Sequence, residues 1–230
     1  MNFVHPSTWL ISGPTGCGKT RFVQNLLLGK QINPHPDKLI WVYSEWQPAY
    51  DEILSKAPIR VVKFQKSFSR TDYDSLGKNQ KTIIVLDDQM GGGGGEEKDE
   101  FQNLFTRGSH HRNLTVIYIV QNLFDKSRQH RTISLNVQYM VLFKNPRDMA
   151  QIEFLGRQVV PGDKHFLSSA YRDATLEKYS YLFLDLRPET EEISRYLTNV
   201  LESESKTGKE SFVYVPPSLV DFMDENINPN

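Results

Sequence analysis

The chain predicts an α/β fold in which a largely parallel sheet carries helices on both faces. Three observations point there. The segments "KLIWVYS" (38–44), "TIIVLDD" (82–88) and "LTVIYIVQN" (114–122) are apolar runs without alternation, as strands buried on both sides require. Stretches with helical spacing separate them, so strand and helix alternate along the chain. All three runs also end in polar or charged residues, which places candidate chemistry at strand ends.

Taken in order, "TWLIS" (8–12) is the first strand and runs into Gly13. Phe22, Leu26 and Leu27 mark a helix over 19–29, and Gly29 stops it. "NPHPD" (33–37) is a proline-punctuated turn before the strand at 38–44. A helix follows from about Gln47 to Lys56, then a strand at "IRVVKF" (59–64) and the buried strand at 82–88. "GGGGG" (91–95) has no side chains to pack, and "EEKDEFQNLFTRGSHHRN" (96–113) reads as a helix closing near Gly108. After the strand at 114–122 come a helix around 127–135 and a strand at "QYMVLF" (138–143). Helices are expected on both sides of "PGDK" (161–164), and "YSYLFLDL" (179–186) is the last strand expected.

The 230 residues, 38% of them hydrophobic and 24% charged, can bury a substantial core. One domain is expected over 1–200, followed by a polar linker ("ESESKTGKES", 202–211) and an apolar tail ("FVYVPPSLVDFM", 212–223) within 201–230. The tail reads either as a strap on the domain's own surface or as a docking segment for a neighbouring subunit. A net charge of −1 argues against a blanket of positive charge and leaves room for a local basic patch. With Cys17 as the single cysteine no intramolecular disulfide can form. The start, "MNFVHPSTW", lacks a secretory signature, and no apolar run approaches the ~20 residues of a membrane helix. A soluble, intracellular protein is expected, with no membrane partner.

The stretch "GPTGCGKTR" (13–21) carries the most specific signal. Gly13, Gly18, Lys19 and Thr20 fill the pattern G-x-x-x-x-G-K-[ST] between a strand and a helix. Its glycines let the backbone of the loop, Gly13, Pro14, Thr15, Gly16, Cys17, Gly18, Lys19, Thr20 and Arg21, turn so that successive N–H groups point at phosphate oxygens, and the helix adds the positive end of its dipole. Lys19 is expected to reach the β- and γ-phosphates of ATP, and the Thr20 hydroxyl to ligate Mg²⁺. Asp87, at the end of a buried strand, is the expected metal carboxylate, and Asp88 the group that polarises the attacking water. Glu45, after the strand "WVYS", is a second candidate base or a solvated loop carboxylate. Gln121, at the end of the next strand, is placed to touch the γ-phosphate or the water. Cys17 reads as a small residue filling the loop and not as a nucleophile. His110 and His111 have no partner at zinc-ligand spacing and read as packing at a helix end.

The loop has the T-G-[SC]-G-K-[ST] form frequent in the FtsK/HerA superfamily of DNA-pumping motors. Together with "LDDQM", "LFTRGSHHRNLTVIYIVQNLF" and "RTISLNVQYMVLFKNPRD", it resembles the genome-packaging ATPases of polinton and adintovirus elements, relatives of the poxvirus packaging ATPase. The resemblance runs from about Leu10 to Leu186, and the five glycines after Met90 depart from it. It implies a P-loop NTPase fold of the RecA/ASCE type, and a homo-oligomeric ring that pushes double-stranded DNA of any sequence into a capsid. ATP is then bound at subunit boundaries, with capsid or portal proteins as partners in the infected cell or the virion. Such a ring needs an arginine that reaches a neighbour's γ-phosphate. Arg107, Arg112, Arg128, Arg131 and Arg147 are the candidates, with Arg112 favoured because it precedes the Gln121 strand. "KSRQHR" (126–131) is either a contact to DNA phosphates or an exposed helix start. Two other functions fit the same motifs: a nucleotide-regulated scaffold, and a helicase or conjugation-type ATPase.

Overall fold

Strands that are apolar on every residue need cover on both faces, and the fold supplies it. The computed structural model describes residues 1–77, 79–87, 103–105, 109, 112–124 and 128–227. In the strand β2 (Thr8–Ser12), Trp9 and Ile11 enter one core while Leu10 enters the other. The same split divides Leu39 and Trp41 from Ile40 and Val42 in β4 (Lys38–Tyr43), and Ile83 and Val85 from Ile84 and Leu86 in β6 (Thr82–Asp87). Alternate side chains of one strand thus feed two separate hydrophobic layers.

Among the described residues, nine strands form the main sheet in the order β11 (Phe212–Tyr214), β10 (Tyr196–Thr198), β9 (Tyr181–Asp185), β8 (Tyr139–Phe143), β2, β7 (Leu114–Val120), β6, β4 and β5 (Val61–Gln65). From β8 through β2, β7, β6 and β4 to β5, every neighbouring pair is parallel. Beyond β8 the sheet turns antiparallel through β9, β10 and β11. A small parallel pair, β1 (Phe3–Val4) with β3 (Ile32–Asn33), lies apart, and Phe3 packs edge-on against Trp9 and Tyr139.

Helices α1 (Lys19–Leu28) and α2 (Pro48–Lys56) cover one face with Phe22, Val23, Leu26, Tyr50 and Ile53. A short helix, α3 (Arg70–Asp74), is closed by a capping box between Ser69 and Asp72. On the other face lie α4 (Arg128–Leu135), α5 (Met149–Val159) and α6 (Phe166–Ala174), with Ile133, Ile152, Leu155 and Leu167 in the core.

The expected sheet and its helical cover are observed, and the sheet also continues past Leu186. The polar run at 202–211 holds a five-residue helix, α7 (Glu202–Lys206), and the apolar residues after it form β11 at the sheet edge. The Tyr214 hydroxyl donates to Asp173 at 2.7 Å, and α8 (Pro217–Ile227) ends the described chain. Strands as short as β10 and β11 show no periodicity, which is why the last strand expected from the sequence is the one at 179–186. The five-glycine run lies outside the described residues, as does most of the helix expected over 96–113.

Candidate functional site

Parallel strands put all their carboxyl ends on one edge, and the register fixes how those ends line up. Ser12 of β2 pairs with Val120 of β7, Asp87 of β6 with Ile119 of β7, and Tyr43 of β4 with Asp87. The phosphate-loop strand and the carboxylate strand are therefore separated by one strand, and Gln121 follows directly from its end. Around this edge opens a cleft of about 540 Å³, lined by Thr15, Gly16, Lys19 and Thr20 of the loop and by Glu45, Asp87 and Gln121. Gly18 and Arg21 line it as well.

The loop conformation explains its glycines. At Gly13, φ is +157°, and a Cβ there would stand 2.7 Å from both Cys17 Sγ and Phe143 Cβ. Gly18, at φ +112°, caps α1 and lies against the Phe143 ring, 3.3 Å from where its Cβ would be. Both positions exclude side chains, one by space and both by backbone. The Lys19 ammonium donates to the carbonyls of Gly13 at 2.6 Å and Pro14 at 3.0 Å, bridging its own loop. Cys17 packs under the loop, and burial pushes its thiol above the usual range, opposite to the shift that activates a nucleophile.

Asp87 is 5% exposed and is held in place from two sides. The Tyr50 hydroxyl of α2 donates to Asp87 Oδ2 at 2.8 Å, and the Thr20 hydroxyl stands 3.5 Å from the same oxygen. Burial, then the negative charge and acceptance of Asp87, push the Tyr50 hydroxyl far above its ordinary pKa, so it remains a donor. The donor set is a hydroxyl and a carboxylate beside a phosphate cradle, hard oxygens that suit Mg²⁺ better than a softer metal. Among the described residues no three His, Cys, Asp or Glu cluster as a metal site. Behind the loop, Arg21 bonds Gln24 and Glu52, and Gln24 donates to Glu52 at 2.5 Å, tying α1 to α2.

The sequence comparisons are blank: the chain matches no protein-family model and no curated protein. Solved structures do match. B204, described as the DNA-packaging ATPase from Sulfolobus turreted icosahedral virus, shares 10% identity over 94% of this chain and 99% of its own, at a TM-score of 0.54. B204 from Sulfolobus turreted icosahedral virus 2, a genome-packaging NTPase solved with ATPγS, shares 13% identity over 92% of this chain and 98% of its own, at 0.49. The fold is that of a P-loop NTPase.

The structure thus brings the loop residues, Asp87, Glu45 and Gln121 to one cleft. It does not bring Arg112 there. Arg112 precedes β7 at the opposite edge of the sheet, where it donates to the carbonyls of Tyr73 (2.9 Å) and Leu76 (3.2 Å) and lies over the Tyr73 ring. Arg147 is exposed in the turn before α5. Asp88, Arg107, His110 and His111 lie outside the described residues, as do Lys126 and Ser127 of "KSRQHR" and the side chains of its remaining residues, Arg128 and Arg131 among them. Tyr50 went unread in the sequence because its role depends on α2 packing across the end of β6. Its one local trace is the i, i+3 spacing with Ile53 that marks a buried helix face.

Proposed function

We propose that the chain is an ATP-hydrolysing motor that moves double-stranded DNA without sequence preference, packaging a viral or polinton-type genome as a homo-oligomeric ring. The observation that carries this reading is the level alignment of three strand ends, which sets Lys19, Thr20, Asp87 and Gln121 around a single cleft. The fold shared with B204, described as a DNA-packaging ATPase, supports it. Capsid or portal proteins in the infected cell are the partners this reading requires.

In this reading the amides around Gly16 to Thr20 and the Lys19 ammonium hold the triphosphate. The Thr20 hydroxyl and Asp87 hold Mg²⁺, which when bound neutralises charge on the β- and γ-oxygens. Tyr50 fixes the rotamer of Asp87, so the carboxylate meets the site already oriented. Water adds to the γ-phosphorus as the bond to the β–γ bridging oxygen breaks, giving ADP and phosphate. Gln121 orients that water, and its proton passes to Asp88, or to Glu45 from across the cleft. Arg112 faces away from its own cleft, so a finger role for it is a role on a neighbour's nucleotide.

The test is ATPase rate with and without duplex DNA. Duplexes of unrelated sequence should raise the rate equally, with the effect lost at high salt. An unchanged rate at low salt, with nucleotide still driving assembly, would favour the scaffold. Unwinding of a forked duplex would favour the helicase.

A further inference from the structure

A second cavity of about 310 Å³ adjoins the cleft and shares Gly18 and Arg21 with it. Its volume is at the low end of the small-molecule range, roughly 300 Å³ and upward. Aromatic side chains make its walls: Phe22 and Phe143 pack on Tyr181 at ring distances of 4.9 and 5.5 Å. At the rim Tyr179 is 56% exposed, its ring against Gly18 and the Lys178 ammonium 4.8 Å from its centre. Tyr179 has φ +67°, a region that non-glycine residues rarely occupy and that collects at ligand sites.

The far wall comes from the C-terminal segment. Glu204 Oε2 accepts from the Tyr181 hydroxyl at 2.7 Å and from the Leu201 amide at 2.9 Å. Those bonds pin the Glu204 carboxylate in the wall of the cavity, where it is an acceptor for a ligand. With Oε2 already accepting two bonds, the carboxylate suits the single exocyclic amine of adenine better than the two parallel N–H groups on the edge of guanine.

We propose that this cavity holds the base of the nucleotide whose phosphates lie on the loop, with Tyr179 stacking on it and Glu204 accepting from the adenine amine. The inference rests on the ATPase reading above and adds to it the origin of base choice. It also gives the C-terminal segment a place in nucleotide recognition, since Glu204 and its anchor Leu201 lie beyond the last strand of the parallel block.

The experiment is calorimetry on the full chain with Mg²⁺ and three probes: inorganic tripolyphosphate, ATPγS and GTPγS. ATPγS should bind roughly tenfold or more tightly than tripolyphosphate, and Tyr179→Ala should remove most of that gain while leaving tripolyphosphate affinity intact. ATPγS should also be preferred over GTPγS. Glu204→Gln keeps an acceptor for Tyr181 and Leu201 but turns a donor to the cavity, so the preference should fall by roughly three- to tenfold. If neither variant changes nucleotide affinity while tripolyphosphate still binds, the base pocket is wrong and the phosphate loop stands. If GTPγS is preferred in the unaltered chain, the assignment of Glu204 is wrong. Binding of no probe at all would overturn both readings.

Discussion

At the carboxyl ends of β2, β6 and β7 polar side chains converge on a cleft, whereas near the amino ends they are tied off within the chain. Lys19, Thr20, Asp87 and Gln121 meet around one space. Near the other edge His5 Nδ1 lies 2.8 Å from the Thr115 hydroxyl, Lys81 lies 3.7 Å from Asp37, and Arg112 is spent on the carbonyls of Tyr73 and Leu76. The contrast follows from parallel strands, which collect their loops by type at two separate edges. It implies that substitutions at the carboxyl edge change chemistry with little loss of stability, and those at the amino edge do the reverse.

The largest expected effect sharpens this contrast. Lys19→Ala removes the cation that the proposed ATPase uses on the phosphates, and turnover should fall by roughly 10²–10³-fold. Among the described residues it bonds only to loop carbonyls beside the cleft, so the unfolding free energy from urea titration should stay within about 0.5 kcal/mol of the unaltered protein. A large stability loss would show that the loop is structural as well as catalytic, and the contrast between the edges would fail there.

His5 is the counterpart at the amino edge. It is 6% exposed, and burial, with Lys81 second, lowers its pKa from 6.5 to about 4. The unfolded chain therefore takes up a proton before the folded one. Stability from this residue is complete above about pH 6.5 and declines as pH falls toward 4, by about 2 kcal/mol between pH 8 and pH 5. Urea unfolding at the two pH values should show that decline, and His5→Gln should flatten it, while nucleotide affinity at pH 8 stays the same. An equal pH slope in the variant would place the titration elsewhere.

Tyr50→Phe tests the carboxyl edge more finely. The ring still fills the space among Trp41, Tyr43 and Phe64, while the hydroxyl and its bond to Asp87 are lost. The Mg²⁺ concentration for half-maximal ATPase should rise about tenfold. Mn²⁺ binding followed by electron paramagnetic resonance should weaken in parallel. A change in turnover at saturating metal with no shift in metal affinity would argue against an orienting role.

How much of this was legible depended on whether the cause lay within one element. The parallel strands were readable because burial on both faces writes itself as unbroken apolar runs, as at 82–87 and 114–120. The loop was readable because the space at Gly13 and the backbone at Gly18 admit nothing else. Strands β10 and β11 were not, since their pairing partner is distant in the chain and three residues carry no period. Tyr50 and Tyr179 were hidden for the same reason. Each meets an element far away in sequence, Asp87 for Tyr50 and Gly18 for Tyr179, and a tyrosine does not announce a left-handed backbone.

The smallest expected effect is also the one that can break the contrast between the edges. Arg112 makes two hydrogen bonds to carbonyls and sits 4.2 Å from the centre of the Tyr73 ring, while its pair with half-exposed Asp74 at 3.7 Å adds little. As a tie between α3 and the start of β7 it should contribute about 1 kcal/mol, so Arg112→Ala should lower the unfolding midpoint slightly and leave nucleotide affinity unchanged. Turnover is the deciding readout. A purely local tie predicts turnover equal to the unaltered protein once the variant is held well below its unfolding temperature. A finger acting across a subunit boundary predicts low turnover that returns when the variant is mixed with Lys19→Ala subunits. In such mixed rings an intact Arg112 can face an intact loop. Recovery on mixing would mean that the amino edge of one subunit serves the carboxyl edge of the next, so the two edges are separate within a chain and joined in the ring.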